Sequence, residues 1–167
     1  MMDTLPRVKS VTASKKGWSL EVVWTDNRKS RVDFTGLVHR SKHFRIFVDD
    51  PKAFQKVTPV NYGSGIGWEN GLDYSAITLQ TLAEEQRPMK GRDLIAFEER
   101  HALNTAEMAA LLEVAERTVR AYKASDTLPS TIAMSLRSLD ADPARFAAHY
   151  KPIERRERGR PKKLAQG

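Results

Sequence analysis

The stretch Leu103-Asn-Thr-Ala-Glu-Met-Ala-Ala-Leu-Leu-Glu-Val-Ala-Glu-Arg-Thr-Val-Arg-Ala-Tyr-Lys123 decides how the second half of this 167-residue chain folds. Asn104 and Glu107 stand three apart, the spacing of a capping box, in which each side chain satisfies the other's backbone N–H. A helix is therefore expected to start here. It buries Met108, Leu111 and Leu112 and keeps the small Ala109 where a second helix must come close. A turn containing Val114 follows, and the next helix buries Val119 and Tyr122. Glu116, Arg117, Arg120 and Lys123 then fall outside, one acid and three bases, for a local charge of +2.

The helical pattern extends on both sides of this stretch. Leu94, Phe97 and His101 precede it at helical spacing, with His101 read as a core histidine. Ile132, Leu136 and Leu139 come after it, and Asp142-Pro143 supplies an N-cap and an N1 proline for a last helix. Five short helices over 90–150 form a compact bundle. Ahead of it, Gln86-Arg87-Pro88-Met89-Lys90-Gly91 interrupts two differently patterned halves. The first half alternates in β-branched and aromatic residues over 8–12, 18–24 and 30–34, separated by the turn signals Lys15-Lys16-Gly17 and Asp26-Asn27-Arg28. A short helix near 51–55, a hairpin over 57–68 and a helix over 75–85 capped by Ser75 complete it. The fold class expected is α+β: a small antiparallel meander with short helices over 1–87, an all-α domain over 90–150, and a flexible basic tail over 151–167.

Residues 90–140 resemble the lambda-repressor/Cro-like helix-turn-helix family. In that family the first motif helix packs across the DNA backbone and the second lies in the major groove. Carried over by position, the resemblance implies base-reading roles for Glu116, Arg117, Arg120 and Ala121. It also puts Asn104 and Thr105 near phosphate, and the charge of Lys123 is expected to add salt-sensitive affinity there. Two positions depart from the family pattern: Glu113 stands where the turn often has Gly, and Ala115 where Ser or Thr often caps the second helix. A left-handed non-Gly residue costs about 1 kcal/mol and a missing cap about the same. The same pattern also suits a helical bundle with no DNA function, and eight basic against nine acidic groups over 90–150 leave it a net −1.

Charge is concentrated at the C-terminus. Residues 151–167 carry seven basic and two acidic groups, +5 of the formal +7. Within them Arg158-Gly-Arg160-Pro-Lys162-Lys163 resembles the core of an AT-hook. The resemblance implies that Arg158 and Arg160 enter the minor groove of A·T tracts while Lys162 and Lys163 meet phosphates. The residues leave a second reading open, a basic arm making nonspecific phosphate contacts.

Residues 5–85 resemble a small bacterial domain family of uncharacterised function, on Asp33-Phe34 through Leu37, His43-Phe44, Asp50 with Phe54, Ile66-Gly67-Trp68, Gly71-Leu72-Asp73 and Ser75. The resemblance implies a compact α+β fold in a regulatory or toxin-antitoxin setting and no known chemistry. Gly63-Ser-Gly-Ile-Gly67 is not a phosphate loop, because Trp68-Glu-Asn-Gly71 turns it into a hairpin rather than a helix. His39 and His43 are spaced for one helix face but lack the further ligands a zinc site needs. No cysteine is present, which removes disulfides and thiol chemistry. No nucleophile, base and orienting group can be assembled, so no enzymatic activity, cofactor or metal is expected. No run is long enough for a membrane helix and no signal pattern opens the chain, so a cytoplasmic protein is expected. Together these readings point to a DNA-binding transcriptional regulator, a homodimer on double-stranded DNA. The alternative is an antitoxin-like protein-interaction module with a small protein partner and secondary or no DNA binding.

Overall fold

The computed structural model describes residues 4–154, and the chain divides into two compact units, Met1–Arg87 and Pro88–Gly167. The first unit opens with an antiparallel sheet, β1 (Val8–Ala13), β2 (Ser19–Trp24) and β3 (Lys29–Asp33), in sequential order. Strict alternation in β2 sends Leu20, Val22 and Trp24 to the buried face, and Val32 of β3 pairs with Leu20. Three short helices come next: α1 (Thr35–Arg40), α2 (Ile46–Asp49) and α3 (Pro51–Phe54). The sequence pattern foretold only the last of these. α1 and α2 are too short to show a helical repeat. A second antiparallel sheet, β4 (Thr58–Val60), β5 (Gly65–Gly67) and β6 (Asp73–Ser75), leads into α4 (Ala76–Gln86), which Ser75 caps by accepting the Thr78 N–H.

The residues behind the N-terminal resemblance have structural roles here. Phe34, Phe44, Phe47, Phe54 and Trp68 form one aromatic cluster with ring centroids 5.1–6.2 Å apart. The Trp68 indole N–H donates to the Phe54 carbonyl at 2.9 Å, which satisfies the one polar atom the cluster buries. Asp33 accepts from the Thr35 amide and hydroxyl, and Asp50 accepts from the Ala53 amide. At the end of α4 the Gln86 amide takes the Asp33 N–H and donates to the Asp33 carbonyl, stitching that helix to β3. His39 and His43 do not share a helix: His39 is exposed on α1 and His43 lies past its end.

The second unit contains α5 (Gly91–Arg100), α6 (Thr105–Leu111), α7 (Glu116–Lys123), α8 (Ser130–Ala141) and α9 (Pro143–His149). Leu94, Phe97, Met108, Val119 and Leu136 are fully buried at its centre. Gly91 starts α5 directly against the end of α7, where any Cβ would overlap the Lys123 and Tyr122 carbonyl oxygens. His101 is not a core residue. It caps α5 half-exposed, stacks on Phe146 at 4.4 Å and bonds Asp140 at 2.8 Å. Arg158, Arg160, Lys162 and Lys163 lie outside the described residues, as does any hook they form.

Candidate nucleic-acid interface

α6 starts and stops by local rules. Asn104 Oδ1 accepts the Glu107 N–H and Glu107 Oε2 accepts the Asn104 N–H, each at 2.9 Å. At the other end the Val114 N–H reaches the Ala109 carbonyl at 2.9 Å and the Glu113 N–H reaches Ala110 at 3.2 Å. That pair of bonds is a Schellman stop, which requires a left-handed residue between. Glu113 supplies it, at φ 54°. Val114 packs into the core beneath the turn. Ala115 then opens α7 in extended conformation with no side-chain cap.

α7 has one dry face and one wet face. Val119 is fully buried and Tyr122 packs beside it, while Glu116, Arg117, Arg120 and Ala121 are exposed. Arg120 pairs with Glu116 one turn back at 2.8 Å. Lys123 departs from the expected outward position, because its ammonium turns inward to Glu98 of α5 at 2.5 Å and also donates to the Thr105 hydroxyl at 3.3 Å. The cause lies on α5. Glu98 stands four residues after Leu94, on the buried stripe, and is only 8% exposed, so its carboxylate needs a counter-charge. Glu98 Oε1 has no hydrogen-bond partner among the described residues, so the Lys123 ammonium is what compensates this carboxylate. Arg117 is consequently the one basic side chain of α7 with no ion pair among the described residues.

The side chains of Asn104 and Thr105 are each engaged within the bundle. Thr105 accepts from Lys123, and Asn104 Nδ2 donates to the Ile153 carbonyl at 2.9 Å. Glu107 Oε1 accepts from the Tyr150 hydroxyl at 2.8 Å and from the Ile153 N–H at 3.3 Å. The Asn104 N–H, opposed by burial and aided by Tyr150 and Ile153, holds the Glu107 carboxyl below its ordinary pKa of 4.5. The bond to Glu107 in turn raises the Tyr150 phenol above 10.0. Sequence reasoning missed Glu98, Tyr150 and Ile153. A signal existed for Glu98 in its spacing from Leu94. None existed for the other two, whose partners lie more than forty residues away.

Among the described residues no cluster of His, Asp and Glu could hold a metal ion, and no helix is long and apolar enough to cross a membrane. No family model and no curated protein matches the chain. Among solved structures it is similar to the crystal structure described as "Putative DNA Binding Protein NE0471" from Nitrosomonas europaea ATCC 19718. The identity is 20% and the TM-score 0.45, over 81% of this chain and 87% of that one.

Proposed function

We propose that this chain is a DNA-binding transcriptional regulator in which α6, the Glu113 turn and α7 act as a lambda-repressor-like helix-turn-helix. The observation that carries this reading is the division of α7, which anchors Val119 and Tyr122 and offers Glu116, Arg117, Arg120 and Ala121 to solvent. On this reading Arg117 reads a base edge, most naturally guanine, through a bidentate contact. The Glu116–Arg120 pair must open or rearrange before either group reads a base. The N-terminal unit would regulate or oligomerise, and two copies would sit on a two-fold operator, the arrangement such domains share. No catalytic role is assigned.

The test is selection of preferred duplexes from a random pool, then binding of the wild type and Arg117→Ala. Loss of about 1–3 kcal/mol on selected sites, with nonspecific affinity unchanged, supports the assignment. Equal losses on both would refute Arg117 as a reader.

A second reading, a protein-interaction module of antitoxin type, draws on the first unit. Tyr62 is 98% exposed and sits at φ 57°, between Asn61 at 50° and Gly63 at 82°. A bulky aromatic on a strained turn stands ready for a partner. A groove of about 890 Å³ also runs past Leu5, Arg7, Trp24 and Ile77. Copurification of a stoichiometric small protein that Tyr62→Ala releases would favour this reading.

A further inference from the structure

The last described residues are fastened to the first turn of α6. α9 ends at Tyr150, whose ring stacks on Phe146 at 5.5 Å, and Phe146 stacks in turn on His101. This ladder aims the Tyr150 hydroxyl at Glu107. Three residues on, both main-chain polar groups of Ile153 are held by the two capping-box side chains: its N–H by Glu107 and its carbonyl by Asn104. The chain therefore leaves the bundle beside α6's first turn, and the Lys123–Thr105 bond joins that turn to the last turn of α7.

The sequence beyond Ile153 is strongly basic, with six basic and two acidic groups over 154–167. The bundle needs that charge, since residues 90–150 sum to −1 and α7 keeps one cation with no ion pair among the described residues. We infer that Asn104, Glu107 and Tyr150 form a clamp that roots the basic tail at the α6–α7 edge, so that the tail and the outer face of α7 engage the same duplex. The inference rests on the DNA-binding reading proposed for the helix-turn-helix. In this role Asn104, whose resemblance implied a phosphate contact, is a positioning residue. Rooting matters because a tethered second contact acts at an effective concentration set by where its tether starts and how far it spans.

The experiment is a cycle of four proteins: the full chain and a chain ending at Ile153, each with and without Tyr150→Phe. Fluorescence anisotropy on random and A·T-rich duplexes over a salt series supplies the affinities. Tyr150→Phe keeps the stacking on Phe146 and removes only the hydroxyl. Truncation is expected to weaken binding about tenfold or more at low salt and to flatten the slope of log K against log salt by about 3–4, for a net charge of four. In the full chain Tyr150→Phe is expected to weaken binding about threefold, and in the truncated chain to leave it unchanged. In the free protein it should also accelerate exchange of the Ile153 amide, a readout that needs no DNA.

Equal effects of Tyr150→Phe at both lengths, or equal affinity of the two lengths, would overturn the clamp while leaving the DNA reading intact. An unprotected Ile153 amide in the wild type would do the same. Failure of both lengths to bind either duplex would sink the DNA reading and the inference with it. Tighter binding to A·T-rich than to random duplex, lost on truncation, would place the tail's contact in the minor groove.

Discussion

Replacing Lys123 by Ala separates two roles for this side chain, a phosphate contact and the counter-ion of a buried carboxylate. Glu98 is 8% exposed, holds Lys123 at 2.5 Å through Oε2, and has no hydrogen-bond partner for Oε1 among the described residues. Removing one member of a fully buried pair costs about 3–5 kcal/mol, because the other charge stays dry and uncompensated. The Lys123 side chain keeps 25% of its exposure, so water can enter once it is gone, and the expected loss is nearer about 2–3 kcal/mol. At about 4–8 °C per kcal/mol for a unit of this size, the melting point falls by about 8–24 °C. The assay has an internal control. Trp18, Trp24 and Trp68 all belong to Met1–Arg87, so tryptophan fluorescence follows that unit while far-ultraviolet ellipticity also follows α5 to α9. The loss should appear in ellipticity and spare the fluorescence transition. Replacing both members, Glu98→Gln with Lys123→Met, should recover most of it, since no charge is then stranded. A Lys123→Ala protein within about 0.5 kcal/mol of wild type, with weakened DNA binding, would refute this and return Lys123 to the phosphate backbone.

Gly91→Ala forces a Cβ into the backbone carbonyls of Tyr122 and Lys123, so α5 and α7 must part. The expected cost is about 1–3 kcal/mol or more, read by urea denaturation, and no loss would mean the helices slide freely. Glu113→Gly relieves a left-handed residue at φ 54° and, after the added freedom of the unfolded chain, should stabilise by about 0.5–1 kcal/mol. Ala115→Ser should add about 1 kcal/mol by capping α7, and thermal melts of the two variants and their combination check both values. Glu107 titrates below its ordinary 4.5 in the folded chain, so between the two values the unfolded state binds more protons and stability rises with pH. The contribution is therefore present above about pH 4.5 and lost as pH falls through the folded value. Acid titrations of unfolding free energy should fall less steeply in Glu107→Gln, and parallel curves would contradict the assignment.

Legibility followed the range of the interactions. The β2 alternation, the Asn104–Glu107 box, the Ser75 and Asp142 caps and the apolar stripes of α5 to α8 act over a few residues, and each lies where the pattern placed it. α1 and α2 escaped notice because four to six residues cannot repeat a 3.6-residue period. On the candidate interface, the exposure of Glu116, Arg117, Arg120 and Ala121 could be read from Val119 and Tyr122 alone. The partners of the charged groups could not.

The sequence by itself placed the first three strands, α4 and the five helices α5 to α9, because capping, turn and periodicity rules operate on neighbours along the chain. Only the tertiary structure decided which charges are spent. Lys123 stands one turn after buried Val119, at the flank of the inward face, where a lysine could equally reach solvent; the approach of α5 buries Glu98 beside it, and a desolvated carboxylate outweighs solvent in claiming the ammonium. The same holds for Asn104 and Glu107, whose side chains also bond Tyr150 and Ile153 from more than forty residues away. Charge pairing depends on distance in space and on local dielectric, and neither is written in the spacing of residues along a chain.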